Sequence, residues 1–145
     1  MHPIHPMIVH FPIALLAVST AIEAAAVLWK KEQLRETSFL LLALGIAAAG
    51  AAAITGHFAE EAAEAQKIPE AAIELHESFA IAAAAIFAVV LGLRFAMRRG
   101  MMTDMPGLTL AGAIVGSAVL AVAGYFGGDL VYSLGAGVLG RMGGG

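Results

Sequence analysis

Five histidines carry most of the chemistry open to this 145-residue chain. Three fall in the opening stretch Met1-His2-Pro3-Ile4-His5-Pro6-Met7-Ile8-Val9-His10-Phe11-Pro12, spaced by prolines where an apolar run begins. The other two, His57 and His76, lie far along the chain. An imidazole inside an apolar segment is costly unless it is paired, so each of these is a candidate functional group. Gathered at one end of a helical bundle they would make a haem or metal site. The chain has no cysteine, which excludes disulfides, thiolate-held iron–sulfur clusters, c-type haem attachment and thiol nucleophiles. A cofactor would therefore be held by His, Met, carboxylate or backbone groups.

The elements that must position the histidines follow from composition. Hydrophobic residues make up 60% of the chain, charged residues only 13%, and the mean hydropathy is +0.86. A water-soluble protein of this size has too much surface to hide that share of apolar atoms, whereas a bilayer accepts it. Four apolar stretches stand out, at 11–29, 39–56, 79–93 and 108–126. A hydrocarbon core takes roughly 20 helical residues, and the third stretch reaches that length once its flanks are counted, from about 75 to 97. The runs are continuous rather than alternating, and backbone groups in lipid must be paired within the segment, so helices are expected rather than barrel strands. The reading is an all-α, integral membrane four-helix bundle of antiparallel up-down topology. It forms one domain over 1–145, with helices at about 6–29, 38–66, 69–98 and 107–127 and a glycine-rich tail over 127–145.

Charge sets the expected orientation. Lys30, Lys31, Arg35, Arg94, Arg98 and Arg99 fall in or beside the first and third connections, which makes six of the eight Lys and Arg residues. The positive-inside rule then puts those connections in the cytoplasm and both termini on the outer side. The first apolar run lacks a basic leader, so it reads as a retained helix rather than a cleaved signal peptide. The net charge of −3 and the lack of a basic stripe give no reason to expect nucleic acid.

The second connection is where the histidines would meet. Residues 57–66 are strong helix formers, and Pro69 suits the first turn of a new helix with Glu70 and Glu74 near its positive end. The second helix would then run to about Gln66, placing His57 roughly 13–15 Å and His76 roughly 10 Å below the turn. His10, near the start of the first helix, would join them at the outer edge of the hydrocarbon. Pro12 removes an N–H and would kink the first helix, aiming His10 inward. Phe11, Phe58 and Phe79 near the histidines, with Gly56, Ala80 and Ala82, would make room for a porphyrin.

Haem b is the leading ligand, needing two imidazoles and an apolar cleft. The ligand pool is His10, His57 and His76, with His5 next and His2 last. The alternative is zinc or copper. His57 with Glu60 and Glu61 at helical spacing, and His76 with Glu77, offer an N/O set for zinc. His2, His5, His10 and Met7 offer one for copper. These carboxylates also read simply as a solvated acidic face. Glu23, inside the first helix, would serve proton movement or a quinone site, or would snorkel or pair with a basic loop residue. Met101, Met102 and Met105 read as gap fillers.

The motif His5-Pro6-Met7-Ile8-Val9-His10-Phe11-Pro12-Ile13-Ala14-Leu15 resembles the opening of a bacterial family of four-helix membrane proteins known as domain of unknown function 2231. His76 near the start of the third helix is similar too. So is the ending Gly128-Asp129-Leu130-Val131-Tyr132 with Gly135-Ala136-Gly137-Val138 after it. Members often carry a histidine where this chain has Leu134, a departure that removes one ligand and leaves His57 to take its role. The resemblance implies a multi-pass protein of the bacterial inner membrane. By the association of relatives with Rieske-type and other redox proteins, it also implies a b-type haem.

The expected protein is thus an electron carrier rather than a stand-alone enzyme. Its partners would be membrane lipid and a quinone or an outward redox protein. The alternatives are a zinc or copper protein for transport or sensing, and a structural subunit of a homo-oligomer or larger complex. In that last case the glycines of the fourth helix would stand at a helix–helix contact.

Overall fold

The computed structural model describes residues 7–65 and 68–136, with the backbone alone described over 57–65. Four helices run in chain order: α1 at His10–Trp29, α2 at Glu32–Ala65, α3 at Glu70–Arg98 and α4 at Pro106–Tyr132. Each is long and apolar enough to cross a membrane. At 1.5 Å per residue the 20 residues of α1 span about 30 Å, one hydrocarbon core, and the other three exceed it.

Helix ends follow local chemistry. Pro106 opens α4 at a position whose N–H would be unpaired in any case. Lys30 ends α1 in the left-handed region (φ 52°), and the Lys31 N–H closes back on the Ala26 carbonyl. Gly100 ends α3 the same way, at φ 69°, a conformation glycine takes without cost. Two boundaries differ from the sequence reading. α2 begins at Glu32 rather than near 38, so only Lys30 and Lys31 link α1 to α2. α4 continues through Gly127 and Gly128 to Tyr132, because in lipid an unwound backbone would leave its polar groups unpaired.

The helices form a ring in which α1 packs chiefly on α2 and α3 chiefly on α4, with thinner contacts joining α1 to α4 and α2 to α3. Two antiparallel hairpins therefore stand side by side. Glycines set the close approaches. A Cβ on Gly45 would lie 2.7 Å from Leu16 Cδ2, and one on Gly112 would lie 2.8 Å from Val90 Cγ2. Gly112 and Gly116 thus serve contacts inside the bundle, against α3, whereas the sequence left them open for a partner helix. Leu16, Leu42, Phe87, Val90 and Ala113 form the mid-level core, drawn from all four helices.

Candidate functional site

His76 is the histidine the structure seats most firmly. It lies in the second turn of α3, half-buried, and its Nδ1 stands 2.9 Å from the Ala123 carbonyl of α4. A carbonyl can only accept, so Nδ1 carries a proton; in the neutral ring this leaves the lone pair on Nε2, the form that binds iron or zinc. Gly127 makes the seat possible, since a Cβ there would sit 2.9 Å from His76 Cε1 and 3.1 Å from Nδ1. One turn along α3, Phe79 stacks on Phe126 with ring centroids 5.6 Å apart, forming an apolar wall beside the imidazole. Ile73 and Leu130 close the hairpin farther out.

His10 is the first residue of α1 and is exposed. The Thr20 and Ser117 hydroxyls meet at 3.0 Å, and ten residues outward from each lie His10 and Gly127, which puts His10 level with His76. His57 stands near the end of α2, at the same end of the bundle, with its side chain among those not described. His2 and His5 lie outside the described residues, as do the tail beyond 136 and the side chains of Phe58, Glu60 and Glu61. Pro12 falls in the first turn of α1, where no intrahelical N–H is missing, so it marks a helix start rather than a kink. Phe11 is 69% exposed and faces away from the bundle, so it does not line a pocket.

The opposite end holds a second cluster. Glu23 of α1 is buried, and its Oε2 lies 3.1 Å from Arg94 Nη2 of α3. The Ser38 hydroxyl donates to Glu23 Oε2 at 2.6 Å, and the Thr109 hydroxyl reaches Oε1 at 3.4 Å. Arg94 also donates to the Arg35 carbonyl at 2.7 Å, and the Ser19 hydroxyl to the Ser38 carbonyl at 2.7 Å. All four helices thus contribute to one buried polar knot.

Above the knot, Arg35 grips Asp104 with two bonds of 2.7 and 2.8 Å, and Arg98 pairs with Glu36. Arg98 also stacks over the Phe39 ring. These pairs rim a cleft of about 300 Å³. The Arg35 hydrogen bond holds the Asp104 carboxyl below the ordinary aspartate range.

Arg94 is a correction to the sequence reading, which placed it at a connection. It is helical and buried, and Glu23 pairs with it rather than with a loop cation. For Glu23, though not for its partner, a signal was legible, because Leu16, Ser19, Thr20 and Glu23 share one helical face at spacings of three and four. Met101 is 76% exposed and fills no gap.

No curated protein and no solved structure is matched by this chain. A family model described as "Predicted membrane protein (DUF2231)" matches residues 1–140. That match covers nearly the whole chain, and with it the opening histidine motif and all four spans. The chain belongs to this family of multi-pass membrane proteins.

Proposed function

We propose that the protein is a membrane-embedded b-type haem protein that carries electrons near its histidine end, with His76 as one axial ligand. The observation that supports this reading is the seating of His76. Its tautomer is fixed by the Ala123 carbonyl, its ring rests against a glycine, and an aromatic pair lies beside it. Metal-ligating histidines are oriented in this way by a bond from the other ring nitrogen.

Haem iron brings four pyrrole nitrogens and asks only one or two imidazoles of the protein, whereas zinc or copper asks three or four protein ligands. Among the described residues no three His, Asp or Glu side chains converge, while the side chains of His57, Glu60 and Glu61 lie outside them. The second imidazole would come from His10, level with His76, or from His57 or His5, with His2 last.

Haem b supplies reversible one-electron chemistry when bound. The chain's own contributions are to orient the His76 imidazole through Nδ1–H, to leave space at Gly127 and to keep water away with Phe79 and Phe126. The electron partner would be a quinone or a redox protein at the histidine end. By the positive-inside rule that end faces outward from the bacterial cytoplasmic membrane, with Lys30, Lys31, Arg98 and Arg99 inside.

The test is an absorption spectrum of detergent-purified protein, oxidised and dithionite-reduced, with a pyridine haemochrome assay. The expected result is a Soret band, a sharp reduced α-band and about one haem per chain, rising to about two if His5 is recruited. A colourless protein made with ample haem overturns the reading and turns attention to elemental analysis for zinc and copper.

A further inference from the structure

Glu23 is buried about 9 Å inside the loop end of α1, which closes at Trp29. At that depth an ionisable side chain is rare and costly, and it marks a proton or ion pathway by default. The hydrogen bonds around it have a property that a purely structural ion pair does not need. The Ser38 hydroxyl lies 2.6 Å from Glu23 Oε2 and 3.0 Å from the Arg35 carbonyl. The Thr109 hydroxyl lies 3.4 Å from Oε1 and 3.2 Å from the Pro106 carbonyl.

A hydroxyl has one proton to give and lone pairs that accept, so each of these two can turn between a carboxylate and a backbone carbonyl. Turned to Glu23, they serve its ionised form. With Ser38 turned to the Arg35 carbonyl, its oxygen is free to accept from a protonated Glu23. Arg94 has the same latitude, at 3.1 Å from Oε2 and 2.7 Å from the Arg35 carbonyl. Both charge states of Glu23 therefore find partners in one frame, and Arg94 is not stranded when its carboxylate is neutralised.

The frame also has an approach. Arg94 lines the cleft of about 300 Å³ at the loop end, with Arg35, Glu36, Arg98 and Asp104. Inside it the Arg35 Nε–H is buried without an acceptor among the described residues, a group that calls for a bridging water. The charges around Glu23 come from α2 (Arg35 and Glu36), from α3 (Arg94 and Arg98) and from Asp104 ahead of α4. α4 itself carries no charge before Asp129 and offers the Thr109 hydroxyl instead. In the other direction the apolar layer of Leu16, Leu42, Phe87, Val90 and Ala113 closes the bundle.

We infer that Glu23 is a proton-binding site inside the membrane, loaded and unloaded from the loop side through this cleft. Arg94 is the gate. Its guanidinium, which keeps its own proton, moves from Oε2 toward the Arg35 carbonyl it already touches. One proton then passes from cleft water to the Glu23 carboxylate, which becomes a neutral acid. The site rests on the loop end alone and stands whether or not the protein holds haem.

The test is infrared spectroscopy of the full chain in a maltoside detergent, which has no carbonyl of its own, in H2O and D2O over falling pH. Wild type should gain a protonated-carboxyl band that moves down in D2O, vanishes when the pH is restored and is lost in Glu23→Gln, while the amide I band stays helical. Glu23→Asp keeps the charge and should displace the band, which assigns it even where the Gln variant does not fold. A wild type that gains no such band before its helices are lost overturns the proton site and leaves Glu23–Arg94 as a structural pair. A band unchanged in both variants belongs to another carboxyl and overturns it equally. The route is read with Met97→Cys, the one thiol of a chain that has none and a residue of the cleft wall. Capping it with a bulky maleimide should slow the D2O shift of the Glu23 band several-fold, and an unchanged rate overturns entry through the cleft.

Discussion

At the scale of single residues, the proposed haem chemistry rests on His76, and the buried polar knot on Glu23 with Arg94. Gly127→Ala tests the first. Its methyl would press on the imidazole at 2.9 Å, and a ring held by its own carbonyl bond cannot step aside without breaking that bond. Haem affinity should fall by about 10–100-fold, the usual cost of losing a supporting contact to a ligand. The folded bundle should persist, since alanine is the better helix former by about 1 kcal/mol. Haem titration and a thermal melt read the two effects separately.

Glu23→Ala tests the second. It leaves Arg94 charged and buried without its carboxylate, so it should cost about 3–5 kcal/mol of stability. Replacing both residues by Gln should cost less than the sum of the single changes, because neither charge is then stranded. A double-mutant cycle of unfolding free energies in detergent checks both statements. The histidine pattern was plain in the sequence, while the partner of Glu23 was not. Arg94 sits at the edge of an apolar run, and nothing in one dimension tells whether such an arginine turns inward or snorkels to water.

At the scale of elements, helix number and approximate span were legible because an apolar run of membrane length admits few other structures. Boundaries were less so. The charged stretch at 32–36 reads as a connection by composition, yet it is the first turns of α2, held there by Arg35–Asp104 and Arg98–Glu36. Those partners lie more than sixty residues away, beyond the reach of local pattern.

The Arg35–Asp104 tie also carries a pH signature. The folded carboxyl titrates below its ordinary range, so the contribution is full above the unfolded pKa and is lost as pH falls through the folded one. Stability of wild type and Asp104→Asn should therefore converge in acid and separate toward neutral pH. Asp104 is half exposed, so the gap should be small and should shrink with added salt. Equilibrium unfolding at several pH values and two ionic strengths measures it.

At the scale of the whole molecule, one end holds six of the eight Lys and Arg residues and the other holds His10, His57 and His76. Trp29 near the loops and Tyr132 at the far end are both well exposed, as expected of rings lying at the two membrane–water interfaces. The charge bias predicts which way this axis points. With single introduced cysteines, Tyr132→Cys should react with a membrane-impermeant thiol reagent in intact cells, and Met101→Cys only after the membrane is opened. The reverse pattern would invert the orientation.

The central claim, that this axis carries a haem ligated by His76, is tested most directly by reduced and oxidised spectra of wild type and His76→Ala. Both proteins are expressed with the same haem supply and compared at equal protein concentration. The account predicts a Soret band and a sharp reduced α-band in the wild type, and loss of most of that haem in the variant. A variant with full haem content and an unchanged spectrum would contradict it.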